Sequence, residues 1–157
     1  MFGWLKSWFR APQPAGPPQM LRSFDLADPT IAGDSIALDG DAWRIVGGAA
    51  PRTFRLFEVR EPGVERCMLT YRARLKTEGV ERRAYLEMWC RLPGRGEFFS
   101  KGFQQAALGT NAWADYEIPF YLKRGQKADL IQLDLTLEGA GTVWIKDVQL
   151  LHTPLRS

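Results

Sequence analysis

The sequence predicts an all-β domain, a two-sheet antiparallel jelly-roll sandwich, and two observations carry that prediction. From Met20 onward no stretch repeats apolar residues at helical spacing, whereas alternation with period two keeps returning. Between the alternating runs stand turn signals: Asp28-Pro29, Gly47-Gly48, Glu61-Pro62-Gly63, Glu78-Gly79, Pro93-Gly94-Arg95-Gly96, Lys123-Arg124-Gly125 and Gly139-Ala140-Gly141. Each supplies a positive φ or the preset φ of proline, which a change of chain direction needs. Short strands at such even spacing close into a sandwich rather than an open sheet.

The first element stands apart. Drawn as a helix at about 100° per residue, Met1, Phe2, Trp4, Leu5, Trp8 and Phe9 fall on one face, with Gly3, Lys6, Ser7 and Arg10 on the other. Residues 1–10 therefore read as a short amphipathic helix. Indoles at headgroup level and the cations Lys6 and Arg10 toward anionic lipid would make it an anchor on a membrane surface. Docking on a partner protein, or on its own domain, is the alternative. A helix shorter than about 12 residues is marginal in water, so a surface or partner is needed to fold it. The segment lacks the apolar run of a membrane span and the cleavage site of a signal peptide. The expectation is a cytoplasmic protein, peripheral at the inner face of a membrane.

Residues 11–19 hold Pro12, Pro14, Pro17, Pro18 and Gly16 and read as a semi-rigid linker. Residues 20–157 form the domain, with strands expected at 21–26, 35–46, 53–60, 66–77, 82–92, 114–122, 130–138 and 142–151. The stretch from Pro93 to Gly102 reads as a loop over one rim, in which at least one of Phe98 and Phe99 turns inward.

Composition narrows the function. At 157 residues, 45% hydrophobic and 25% charged, the chain is long enough to bury a core without staples. Cys67 and Cys90 sit in apolar runs and read as free buried thiols. His152 is the only histidine and lies near the end, which leaves no material for histidine-based catalysis. No phosphate loop, dinucleotide fingerprint or His/Cys metal spacing is present. The net charge of +3 is small and glutamates interleave with the arginines, so no nucleic-acid partner is expected.

Three pieces of the chain resemble a known family. They are the strand Tyr71-Arg72-Ala73-Arg74-Leu75-Lys76-Thr77, the Gly-Thr-x-x-Trp-x-x-Tyr block from Gly109 to Tyr116, and the closing run Gly141-Thr142-Val143-Trp144-Ile145-Lys146-Asp147-Val148-Gln149-Leu150. Together they are similar to the galactose-binding-like jelly roll of carbohydrate-binding modules. The resemblance implies a non-catalytic sugar-binding domain that requires no cofactor. It also implies a buried Trp144, and a structural calcium ion beside Asp147, although Lys146 stands where a neighbour is commonly acidic. Trp113 and Tyr116 take core or loop-clamping places in this pattern.

Period-two alternation then selects a candidate face. In residues 82–92, Ala84, Leu86, Met88, Cys90 and Leu92 form one set and Tyr85, Glu87, Trp89 and Arg91 the other. A pyranose stacks its apolar C–H face on an indole while charged groups hold its hydroxyls, so the second set suits a sugar. Arg72 and Arg74 on one strand and Gln132 and Asp134 on another would extend the face if those strands are neighbours. The same residues would also suit a protein partner or an ordinary solvated sheet. Glu87 and Asp134 are the one carboxylate pair that a glycosidase reading would use. The competing reading is an intracellular interaction or scaffold domain held at a membrane, or in an assembly, by residues 1–10.

Overall fold

The computed structural model describes residues 12–156. The expected helix over residues 1–10, with Phe2, Trp4, Leu5, Lys6, Trp8, Phe9 and Arg10, lies outside them. Among the described residues the strands are β1 (Gln19–Phe24), β2 (Ile36–Asp39), β3 (Ala42–Gly47), β4 (Arg52–Arg60), β5 (Cys67–Leu92), β6 (Gly96–Lys101), β7 (Ala107–Leu122), β8 (Leu130–Leu137) and β9 (Gly141–Pro154). Every pairing between them is antiparallel.

The long β5 builds both layers of the fold. Its residues 67–78 lie between β9 and β7. Its residues 84–91 pair with β8, and from Glu87 to Leu92 β6 lies on the other side. One layer therefore runs β2-β3-β9-β5-β7, with β1 also on β9, and the other runs β4-β8-β5-β6. The sequence suggests a strand break at Glu78-Gly79, yet the ladder continues through it. Gly79 turns the chain at φ +60, and the amide of Glu81 is caught at once by the carbonyl of Ala140 at 3.0 Å. The glycine thus makes a corner at which one strand changes layer. β9 starts against that corner: a Cβ on Gly141 (φ +138) would stand 2.6 Å from the Val80 Cα, so only glycine fits.

The core lies between the layers and follows the alternation. Leu69, Tyr71, Ala73 and Leu75 point in from the first half of β5, and Ala84, Leu86, Met88, Cys90 and Leu92 from the second. Cys67 and Cys90 are free and buried. Burial pushes their thiols up to about 11 and about 12, which keeps thiolate, the reactive form, scarce.

Three local expectations change. Residues 35–46 form a hairpin, not one strand: Asp39 pairs with Ala42 across a two-residue loop whose Gly40 has φ +62. That glycine at the first loop position suits a tight reversal matched to strand twist. Residues 96–101 form β6, because Gly94 and Gly96 take positive φ and fold the chain back onto β5. The proline-rich stretch is tied down at residues 13–15: Pro14 bridges to Leu155 and the Ala15 amide donates to the Pro154 carbonyl at 2.7 Å.

Candidate functional site

The β4-β8-β5-β6 layer gathers most of the candidate side chains on its outer face. Across β5 and β8, Tyr85 is opposite Thr136, Glu87 opposite Asp134, Trp89 opposite Gln132 and Arg91 opposite Leu130. On the far side of β8, Thr53 meets Thr136, Arg55 meets Asp134 and Glu58 meets Gln132. On the far side of β5, Lys101, Phe99 and Glu97 of β6 lie beside Glu87, Trp89 and Arg91. The result is a set of rows crossing four strands: Arg55–Asp134–Glu87–Lys101 beside Glu58–Gln132–Trp89–Phe99. A shallow hollow of about 310 Å³ lies on this face, lined by Thr53, Arg55, Glu87, Trp89, Glu97, Gln132 and Asp134.

Hydrogen bonds fix these groups in place. The Trp89 indole Nε1 donates to Glu87 Oε2 at 2.6 Å. Thr136 Oγ1 donates to Glu87 Oε1 at 2.9 Å and also bonds Thr53 Oγ1 at 2.8 Å. Arg55 grips Asp134 through Nε at 3.0 Å and Nη2 at 3.3 Å. Gln132 Nε2 donates to Glu58 Oε2 at 3.1 Å. At the margins, Arg91 holds Asp129 with two bonds, Arg83 holds Glu138 likewise, and the Tyr85 ring meets Phe103 edge-on.

Burial distinguishes the two central carboxylates from their neighbours. Every residue of β8 is buried, Asp134 and Gln132 included, because β4 and β5 crowd it from both sides. Burial outweighs the Arg55 ion pair and pushes the Asp134 carboxyl up from 3.8 to about 6. Arg55 in turn is held above its usual value by the same hydrogen bond. Both Asp134 oxygens accept from Arg55, so the group with the raised pKa is sealed under a guanidinium. That geometry suits a structural ion pair and gives a general acid no open proton path.

Arg72 and Arg74 do not join this face. They lie on the other half of β5, beyond the Gly79 corner, and pair with Glu117 at 3.8 Å and Asp115 at 3.3 Å. Together with Asp147, Gln149 and Tyr116 they line a separate hollow of about 470 Å³. Asp147 has φ +54 where the β5–β9 register slips, and the hollow carries the two guanidinium groups together with the carboxylates of Asp115 and Glu117. Calcium takes six to eight oxygen ligands, and no group of three or more His, Cys, Asp or Glu side chains among the described residues is placed to hold a metal.

Expectations change for Trp144 and for Phe98 and Phe99. Trp43 is buried at 2% exposure. Trp144 and Trp113 are only half-buried and sit on the outside of the other layer. Tyr116 is half-buried and packs on the core. Phe98 and Phe99 are both exposed, at 43% and 54%, on an edge strand that pairs only with β5 among the described residues. The sequence reading missed Thr53, Arg55 and Glu58. The signal for the first two is the alternation of Thr53 and Arg55 with buried Phe54 and Leu56, whereas a register slip between Arg55 and Phe57 hides Glu58.

No protein-family model and no curated protein matches the chain. Solved structures do share its fold. A CBM22-1 xylan-binding domain from Paenibacillus barcinonensis superposes with a TM-score of 0.57 at 10% identity, covering 93% of this chain and 99% of that one. A CBM4 structure gives 0.54 at 12% identity, covering 76% of each chain. A cyclase from Fischerella sp. TAU, in complex with 4-(1H-indol-3-yl)butan-2-one, gives 0.54 at 10% identity over 82% of this chain and 74% of that one. The fold is thus the jelly roll of carbohydrate-binding modules, an architecture that also carries a cyclase.

Proposed function

We propose that this chain is a non-catalytic carbohydrate-binding module whose ligand lies on the β4-β8-β5-β6 face. One observation carries the reading: the half-exposed Trp89 is bonded to Glu87, two residues back on the same strand. That bond fixes the indole's edge, its ring tilts against Phe99 with centroids 5.1 Å apart, and a sugar would stack on the face that remains open. The groups around it favour hydroxyl recognition. Each Glu87 oxygen accepts one bond and keeps a second lone pair, and Arg55 keeps Nη1 after its two bonds to Asp134. Gln132 and Arg91 flank the ring and would orient further hydroxyls, with Tyr85 at the margin. The likeness to xylan-binding and other carbohydrate-binding modules supports the same class of ligand. Affinity is expected to be modest, since a shallow face removes little surface from water.

A glycan-array screen of the full-length protein tests the reading. Binding to at least one glycan is expected. A blank array counts against it and favours the second reading, a protein-interaction domain. That alternative draws on Phe98 and Phe99, exposed on an edge strand that pairs only with β5 among the described residues, where a partner could add a strand. In this reading residues 1–10 would hold the complex at a membrane or in an assembly.

A further inference from the structure

The outer face of the other layer carries a second aromatic row, independent of the Trp89 face. Arg44 of β3 pairs with Trp144 of β9, and Trp144 with Lys76 of β5. The β5–β7 ladder then slips between Leu75 and Thr77, which sets Trp113 next to Lys76. Cation and aromatic ring alternate along four strands. The Lys76 ammonium lies 4.4 Å from the Trp144 ring centre and 5.6 Å from that of Trp113, while Lys146 lies 4.2 Å from Trp113. Trp144 is anchored by its Nε1, which donates to Asp39 at 2.8 Å.

Four of the cations on this face are paired. Arg44 pairs with Asp39, Arg72 with Glu117, Arg74 with Asp115 and Lys146 with Asp41. Lys76 makes no salt bridge among the described residues; the Trp144 and Trp113 rings lie beside it, and Asp41 feels its charge from farther off. It borders a hollow of about 420 Å³ lined also by Thr77, Glu78, Thr110, Asn111, Ala112 and Trp144. The wall of that hollow is fixed. Thr110 Oγ1 accepts the Gly79 amide at 3.0 Å, and Asn111 Nδ2 donates to Thr77 Oγ1 at 3.0 Å and to the Leu108 carbonyl at 2.9 Å. Asn111 therefore has its amide hydrogens engaged and its Oδ1 left to accept.

We propose that this hollow is a second ligand site, for a sugar that carries a carboxylate, with the pyranose ring packed on the Trp144 indole and the carboxylate on Lys76. Stacking supplies the ring contact and an ammonium outside any salt bridge supplies the anion contact. Glu78 sets the orientation: it repels the carboxylate, which goes to the Lys76 side, and it accepts hydroxyls together with Asn111. On the first face, by contrast, Arg55 and Arg91 are already paired with Asp134 and Asp129.

The test uses the isotope-labelled full-length protein and two probes, tetragalacturonate and neutral galactotetraose, with indole N–H signals followed by NMR. Tetragalacturonate should shift the Trp113 and Trp144 signals, and Lys76→Gln should weaken its binding at least tenfold. Lys76→Arg should restore it, and Glu78→Gln should strengthen it. Trp89→Ala should leave it unchanged, so failure of this site and failure of the Trp89 face read out separately. Tetragalacturonate that shifts no Trp113 or Trp144 signal overturns the proposal. So does binding that survives Lys76→Gln, or equal affinity for the neutral probe at these two signals.

Discussion

Trp89 and Glu87 are joined by a 2.6 Å hydrogen bond from indole nitrogen to carboxylate, two residues apart on one strand. The bond gives both groups a fixed place on the outer face of the layer, where Glu87 is 4% exposed and Trp89 half-exposed. Thr136 holds the other Glu87 oxygen, so the carboxylate is a rigid acceptor rather than a solvated one. Glu87→Ala is expected to leave the indole free to swing, because its donor loses the partner that orients it. Glycan affinity should fall by about tenfold, as for loss of a charged hydrogen bond. Glu87→Gln, which keeps an acceptor oxygen, should fall less. Calorimetric titration of both variants checks the order.

Asp134 should make stability depend on pH in a direction unusual for a carboxylate. Its folded pKa is raised from 3.8 to about 6, so the native state binds the proton more tightly than the unfolded chain. The stabilising contribution of the neutral acid is complete below about pH 4 and is lost as pH rises through about 6. Asp134→Asn should flatten the urea-derived stability between pH 4 and pH 7 relative to wild type. An unchanged slope would show that this carboxyl titrates normally.

Arg55→Ala removes the partner of that buried carboxylate. Leaving a buried charge unpaired costs about 3 kcal/mol or more, but Asp134 escapes part of that cost by taking up a proton. The destabilisation should therefore be larger at pH 8 than at pH 5, measured by chemical denaturation. Equal losses at the two pH values would mean that the ion pair is worth little.

Tyr71 is fully buried, and its hydroxyl has no hydrogen-bond partner among the described residues. A buried unsatisfied hydroxyl costs about 1–3 kcal/mol. Tyr71→Phe deletes it with no loss of ring packing and should raise the melting temperature by a few degrees. A lower melting temperature would mean that the hydroxyl has a partner, such as bound water.

Calcium is expected to do little. With Arg72 and Arg74 beside Asp147, neither EDTA nor millimolar calcium should move the melting temperature, whereas a bound ion would raise it with the logarithm of its concentration.

The layers were legible in the sequence where alternation is strict. The set Ala84, Leu86, Met88, Cys90 and Leu92 reads as core and is core, since a strand inside a sandwich must present one face to each side. Glycine positions were legible as changes of direction but not as kinds of change. Gly79 bends a continuing strand, Gly40 closes a hairpin, and the residues alone do not distinguish them because the difference lies in what catches the next amide. That ambiguity is why Arg72 and Arg74 read as neighbours of Trp89 when the corner sends them to the other layer. The half-exposure of Trp144 was hidden for a similar reason: an indole can lie on a sheet face under a lysine, and Lys76 meets it only through the β5–β9 register.

The most direct test of the sugar-binding account is the affinity of Trp89→Ala for an oligosaccharide that the wild-type protein binds on an array, measured by calorimetry beside a melting curve. The account predicts at least a tenfold loss of affinity with cooperative unfolding retained. Unchanged affinity in a folded variant would contradict it and move the ligand away from the β4-β8-β5-β6 face.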